Sequence, residues 1–297
     1  MKVPFIKINK NKAEEEIERL KANGELLTGF KIKREGPTVL IPVRHSGEEG
    51  EFEEARNTKM NQVGSFERIS DFFVIKERKG WERILEEIVG KQKPRAVFLD
   101  RGVEGPYRIR KMERVFGSGV PAGIHKENGY RYLVDLEVAY FSPRLAGLRK
   151  KINENCIESG KADLVVDMYA GIGPISIPLS KKGIRTVSID MNEDAVKLLE
   201  YNAKLNRSKC EPLIADSNKI ASCFSTADQV IMNNPTQSIS LSEEVISTFR
   251  KGTKVHFTHI QEKGEKLKIE GVEILEKKEV HGYSPSSSLF YYMMLKR

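Results

Sequence analysis

The stretch "DMYAGIGP", Asp167 to Pro174, sets a carboxylate ahead of two glycines spaced G-x-G and a proline. Glycines in that spacing let a backbone turn tightly and come close to a ligand. Three further polar groups close later apolar runs: Asp190 in "VSIDMNEDA", Asp216 in "PLIADS", and Asn233-Asn234-Pro235 in "VIMNNP". Ligands of open α/β sheets lie beyond the carboxyl ends of the strands, so four such ends in order outline one site. Asp190 falls about 20 residues beyond the glycines, where an acidic side chain accepts hydrogen bonds from a ribose diol. A dinucleotide site expects G-x-G-x-x-G/A to cradle a pyrophosphate, and the third glycine is absent here. S-adenosylmethionine, with a nucleoside, an ammonium and a sulfonium but no phosphate, suits an Asp-rich site better. The residues expected to hold it are Asp167, Tyr169, Gly171, Gly173, Pro174, Asp190, Met191, Asp216 and Asn233. An amide stiffened by Pro235 can also present a donor and an acceptor to the edge of a flat base. The plainer alternative is that Asn233 and Asn234 cap the next helix.

Those ends need a sheet to carry them. From "DLVVDMYA" onward, apolar runs alternate with helical segments: "PISIPLSKK", "RTVSID", "NEDAVKLLEYNAKLN", "EPLIAD", "DQVIMNNP", "LSEEVISTFRKG", "KVHFTHI". The alternation predicts a mostly parallel sheet with helices on both faces, an α/β Rossmann-like domain over 141–297. "VEILEKKEVHGYSP" and "SSLFYYMMLKR" have no helix between them and predict a C-terminal antiparallel hairpin at the sheet edge. Two small α+β domains are expected before it. Residues 1–55 read as strand "VPFIKI", a helix closed by Gly24, and an extended pair bent at Gly36-Pro37. Residues 66–140 read as strand "RISDFFVIKE", helix "WERILEEIVGKQ", strand "RAVFLDRG", then "YRIRKMERVFG" and "IHKENGYRYLVDLEVAYF", alternating at period two. Between them "RHSGEEGEFEEARNTKMNQVG" is too polar to bury much, and its charge run Glu48–Glu54 reads as a solvated linker.

Lys and Arg number 50 against 42 Asp and Glu, a net charge of +8 over 297 residues. That surplus favours an acidic partner, nucleic acid first. Three cysteines without C-x-x-C spacing and five histidines without ligand spacing indicate neither a disulfide framework nor a metal site. A cytoplasmic setting follows, with no signal peptide or membrane span expected. Arg108 and Arg110, two apart on an expected strand, could form a solvated basic stripe, and Phe141 reads as core.

The strings "FKIKREGPTVLIPV", "GVEGPYRIRKMERVFG", "IHKENGYRYLVDLEVAYFSPRL", "VVDMYAGIGPISIPLSKK", "IMNNP" and "VHGYSP" give nearly the whole chain a further meaning. Together they resemble the archaeal and eukaryotic tRNA (guanine-37-N1)-methyltransferases and their relatives in wyosine-base synthesis. "HKENG" and "YFSPR" in tandem before a cofactor motif are the most specific part. The resemblance implies a first domain that checks the tRNA elbow, later domains that grip the anticodon arm, and methyl transfer to the purine 3′ of the anticodon. It puts the base-contacting arginine on Arg108, the tyrosine before Phe-Ser-Pro on Tyr140, and the fourth motif's Asn and Pro on Asn233 and Pro235. A monomer working on tRNA is expected. Two departures stand out: "NNP" replaces "NLP", and in "SPRLAGLR" Leu148 stands where the family carries the Glu that takes the guanine N1 proton. If only that base is missing, Leu148→Glu should raise methyl transfer to guanine, with Asp135, Glu137 and Asp167 as substitute carboxylates near in sequence. A wyosine-pathway transferase acting at carbon or moving an aminocarboxypropyl group, or a tRNA-binding paralogue without catalysis, would gain nothing from the change.

Overall fold

Alternating apolar residues in "TVLIPV" put Val39, Ile41 and Val43 on one face and Leu40 on the other, and both faces are covered. The computed structural model describes residues 2–23, 25–27, 30, 32–44, 47–52, 66–105, 107–160 and 162–297. These fall into two compact units, Met1–Gln62 and Val63–Arg297.

The first unit contains β1 (Lys2–Asn9), α1 (Ala13–Ala22), β2 (Lys33–Glu35), β3 (Thr38–Pro42) and β4 (Glu48–Glu51), in sheet order β2-β3-β1-β4. Gly36, at φ +60°, makes the β2–β3 turn that the Gly-Pro pair predicts. Leu20 of α1 packs with Val39 and Ile41, while Phe5 meets Phe52 at 5.5 Å on the other face. The charge run corrects the linker reading, because Glu48–Glu51 pairs antiparallel with β1. An edge strand needs only backbone partners, and its glutamates stay in water. Gly24 and residues 53–65 of the expected linker lie outside the described residues.

The second unit opens with β5 (Phe66–Ile69), β6 (Phe72–Lys76), α2 (Trp81–Gln92), β7 (Ala96–Glu104) and β8 (Ile109–Gly117), in order β5-β6-β7-β8. "RISDFFVIKE" is two antiparallel strands, not one, broken at Ser70 with φ 56°. β6 and β7 run parallel through α2, whose Ile84 and Ile88 bury against Phe73, Ile75, Val97 and Leu99. β9 (Ala122–Glu127) and β10 (Tyr130–Asp135) form a hairpin over Asn128-Gly129, both at positive φ; the string that alternates at period two thus folds back on itself at "ENGY".

The larger sheet follows α3 (Ala146–Glu158), a helix the sequence reading passed over. Its elements are β11 (Val165–Asp167), α4 (Ser176–Lys181), β12 (Thr186–Asp190), α5 (Glu193–Leu205), β13 (Glu211–Ile214), α6 (Ser217–Ile220), β14 (Gln229–Met232), α7 (Ile239–Ser247), β15 (Lys254–Glu262), β16 (Val272–Gly282) and β17 (Ser287–Lys296). Strand order is β13-β12-β11-β14-β15-β17-β16. Five strands are parallel and the last two form the expected antiparallel hairpin. The β9–β10 hairpin is tied to this sheet through α5. Asn202 bonds Leu133 N at 2.6 Å and Leu133 O at 3.1 Å, and Asn206, one turn on, bonds the backbone N–H and C=O of Arg131. Side-chain amides here stand in for a neighbouring strand.

Candidate active site

The four strand ends meet and are hydrogen-bonded to one another. Asp190, ending β12, accepts from Gly171 N at 2.8 Å through Oδ2 and from Asn192 N at 2.9 Å through Oδ1. The loop after β11 is therefore held by the carboxylate that the ribose assignment needs. Burial raises Asp190 above the ordinary carboxylate range, and the backbone amides of Asn192 and Gly171 oppose that rise. Tyr169 bonds Asn218 Oδ1 at 2.7 Å and the Gln237 side chain, joining the first loop to α6 and to the segment after β14. Asp216 caps α6, its carboxylate accepting from Asn218 N at 3.2 Å. At β14, Asn233 Oδ1 accepts from Thr258 Oγ1 at 3.2 Å, and Ile260 N donates to Pro235 O at 3.2 Å. The helix-cap alternative falls away, because Ser238 caps α7.

The floor of the site fits S-adenosylmethionine. Asp167 is fully buried; its Oδ2 accepts from Ser176 Oγ at 2.7 Å, while its Oδ1 has no partner. Desolvation pushes its carboxyl up to about 7. An orphaned carboxylate oxygen is costly unless a donor or a cation meets it, as an ammonium group would. A Cβ built on Gly171 would meet nothing within 4 Å, leaving open space above the loop, and Gly171 is at φ +53°. Gly173 is the opposite case, at φ +89° with Ile177 Cδ1 2.9 Å from an added Cβ; only glycine lets α4 pack there. Met191 and Ile214 are about half exposed at the ends of β12 and β13 and offer apolar surface to a flat ring. Pro174 lies in the turn leading to α4. Among the described residues no cluster of His, Cys, Asp and Glu could hold a metal, and no helix is long and apolar enough to cross a membrane.

Arg108 reaches the segment after β14 from outside the large sheet, with Tyr140 beside it. Arg108 lies in the turn before β8 at φ 55°, not on a strand. Its Nη1 donates to Thr236 Oγ1 at 3.2 Å, and Thr236 Oγ1 in turn donates to Asn234 Oδ1 at 3.1 Å. The guanidinium lies 5.9 Å from the Tyr140 ring centroid. The alternative of a solvated stripe does not hold for Arg110, whose side chain is 9% exposed and paired with Glu67 at 2.7 Å and Asp100 at 2.8 Å. Phe141 is core as expected, between His125 at 5.3 Å and Arg149 at 4.7 Å.

Leu148 points inward, 5% exposed, among Ile152, Cys156, Val165, Ile175 and Leu179. Among the described residues no carboxylate hydrogen-bonds to Arg108, Tyr140, Asn233 or Asn234. Of the substitute carboxylates, Asp135 accepts from Glu137 N at 3.0 Å and only Asp167 belongs to the site. Sequence reasoning missed Thr236 and Thr258, which orient the two asparagines, and Ile214. Thr258 left a signal, a hydroxyl inside the apolar run "HFTHI".

This sheet order, with a G-x-G loop after the first strand, an acidic end to the second and a closing antiparallel hairpin, defines a class I, Rossmann-like methyltransferase. The chain belongs to the TRM5/TYW2 methyltransferase family, whose domain model matches residues 123–281, and the tRNA methyltransferase 5 N-terminal domain matches residues 6–52. It is 31% identical to the tRNA (guanine(37)-N(1))-methyltransferase Trm5b of Pyrococcus abyssi, over 90% of this chain and 91% of that one. A solved complex of aTrm5 with tRNALeu superposes at TM-score 0.68 and 27% identity, covering 99% of this chain and all of that chain. Methanocaldococcus jannaschii Trm5 in complex with adenosine superposes at 0.64 and 26%, covering 99% of both.

Proposed function

We propose that the protein is an S-adenosylmethionine-dependent tRNA methyltransferase that methylates guanine N1 at position 37, beside the anticodon. The observation that carries this reading is that Arg108 reaches Thr236 in the segment after β14 while lying beside the Tyr140 ring. Similarity to Trm5b, and to structures bearing tRNALeu and adenosine, supports it.

When bound, S-adenosylmethionine supplies a methyl carbon activated by a sulfonium for in-line displacement. The chain's task is then alignment and charge stabilisation. Asp167 would hold the ammonium group and Asp190 the ribose diol. Met191, Ile214 and Asp216 would flank the adenine, with Gly171, Gly173 and Pro174 shaping the loop beneath. Tyr169 would set the spacing of three strand ends. Tyr140 gives the target base a flat neighbour, and Asn233, fixed by Thr258 and by Pro235's bond to β15, offers an amide to its edge. Arg108, with donors beyond the one that reaches Thr236, would face O6, where negative charge gathers once N1 loses its proton. Leu148 takes no part, so that proton leaves to solvent. Residues 1–55 are assigned to the tRNA elbow and 66–140 to the anticodon arm, in a monomer acting in the cytoplasm.

Labelled donor and a tRNA transcript with guanine at position 37 should yield 1-methylguanosine at that position on digestion and mass analysis. Turnover should fall on an isolated anticodon stem-loop, which lacks the elbow. With a wyosine-precursor tRNA as a second substrate, label on a carbon of the tricyclic base would favour the wyosine-pathway reading, which Leu148 supports. Label on no tRNA would leave a tRNA-binding paralogue. Light scattering that reports a dimer would remove the monomer assignment.

The cofactor pocket carries its own pH signature. Pairing with an ammonium requires ionised Asp167 and a protonated amine, so calorimetric affinity for S-adenosylmethionine should be greatest between about pH 7 and 8. Below pH 7 it should weaken by up to about tenfold per unit. The sign reverses for the cofactor-free chain: a carboxyl raised by folding stabilises fully below its unfolded pKa near 4, and that contribution is lost as pH rises through about 7. Asp167→Asn should flatten both profiles; affinity level from pH 5.5 to 8 in the unaltered protein would take Asp167 out of the ammonium site.

A further inference from the structure

Arg110 follows Arg108 by two residues, and Ser142 follows Tyr140 by two. Both side chains end on one carboxylate, Glu67 of β5, which is 6% exposed. Glu67 Oε2 accepts from Arg110 Nη1 at 2.7 Å; Oε1 accepts from Ser142 Oγ at 3.0 Å and lies 3.2 Å from Arg144 Nε. Arg110 also donates to Asp100 Oδ2 from two nitrogens, at 2.8 and 3.0 Å, and reaches the Phe141 carbonyl at 3.4 Å. Asp100 Oδ1 accepts from Gly102 N at 2.9 Å, so the same cluster grips the β7–β8 connection on both sides of Arg108. Arg110, with its side chain 9% exposed, lies between two carboxylates, and the more exposed Arg144 completes the balance of charge. A buried ion cluster is a poor source of stability, since apolar residues of similar volume often serve as well. What this one provides is a fixed distance. The two oxygens of one carboxylate set the spacing between the strand that begins beside Arg108 and the segment that follows Tyr140. Arg108 itself sits at φ 55°, a conformation that a non-glycine residue keeps only when its surroundings hold it.

We propose that Glu67 is a positioning residue for methyl transfer, which by gripping Arg110 and Ser142 together fixes Arg108 against Tyr140 and so seats the acceptor base. The inference rests on the tRNA-methyltransferase reading above. Glu67 touches neither Arg108 nor Tyr140 directly and acts through their neighbours. Its loss should therefore appear in the rate of the aligned complex and not in the formation of that complex. Misplacement of a positioned group by about 1 Å is enough to cost on the order of 100-fold in rate.

The test is methyl transfer to whole tRNA at saturating S-adenosylmethionine. Glu67→Gln keeps the shape but replaces one acceptor by a donor; kcat should fall on the order of 10- to 100-fold while Kd for tRNA and for S-adenosylmethionine stays within about twofold. In an Arg108→Ala background the same substitution should cost less than about threefold, because the group it positions is gone. Equal losses in both backgrounds would mark a merely structural residue and overturn the proposal. Should Glu67→Gln fail to fold, Ser142→Ala removes one hydrogen bond and no charge. It should lower kcat severalfold in the wild type and not in Tyr140→Ala; wild-type kcat for Ser142→Ala overturns the proposal. An active wild type with unchanged kcat in Glu67→Gln defeats the positioning role alone. A wild type that methylates no tRNA defeats it together with the functional reading.

Discussion

Leu148→Glu is expected to destabilise the protein by about 3–5 kcal/mol, without raising methyl transfer to guanine. The side chain is 5% exposed among Ile152, Cys156, Val165 and Leu179, an apolar surrounding. A carboxylate there would lose the burial of Leu148 and stand without a partner. In a unit of this size such a penalty lowers Tm by roughly 10 °C. A sign test comes with it: burial would raise the pKa of the new carboxyl, so the variant should recover stability on acidification and lose it as pH rises. Thermal melts at pH 5 and pH 8, beside single-turnover assays, check both parts. Faster methylation by a variant of unchanged Tm would show that position 148 can face the base after all. The motif at Leu148 therefore cannot be restored one residue at a time, because the helix that carries it turns that position into the core.

Arg108→Ala is expected to lower kcat by roughly 100- to 1,000-fold, the loss found when one donor to a developing oxyanion is removed. Affinity for S-adenosylmethionine should not change, since Arg108 contacts Thr236 and Tyr140 and none of Asp167, Gly171 or Asp190. Arg108→Lys should restore only part of the rate, because an ammonium keeps the charge but not the planar fork of donors. With solvent taking the N1 proton, the wild-type rate should climb with pH, and the Arg108→Ala profile should lie further toward alkaline pH. Single-turnover rates from pH 6 to 9 decide this; equal rates for the two proteins would place the charge-stabilising group elsewhere.

The parallel sheet and its four polar ends were legible because strand and helix periods alternate cleanly after Leu164 and glycines punctuate the first turn. Arg108 and Tyr140 were legible only through family resemblance, since nothing in their local pattern distinguishes them from a basic stripe and a core aromatic. β4 was hidden because "EEGE" has no apolar alternation; its strand character comes from backbone pairing with β1. Arg110 looked solvated because its partner, Glu67, is 43 residues away. α3 was hidden for a related reason. Its inward face carries Arg149, Asn153 and Asn155 beside Leu148 and Ile152, and Arg149 and Asn155 become buriable through Glu127, Ser142, Glu276 and Tyr291, most of them supplied by distant segments. Periodicity reads a side chain's own polarity and cannot see a partner that folding brings to it.

β17 joins the sheet between β15 and β16, not at its edge. Tyr291 and Tyr292 are wholly buried, and the Tyr291 hydroxyl meets His256 of β15 and Asn155 of α3, each at 2.8 Å. A ribosome makes this strand after every element it joins. Until residues 287–296 emerge, β15 offers a long unpaired edge and His256 lacks a partner for Nδ1. The nascent chain thus waits on a long-range pairing that is intrinsically slow and exposed to aggregation while it waits. A chain stalled with residues 287–296 still inside the ribosome should leave the parallel strands of the sheet open to proteases and to chaperones that a released chain does not engage.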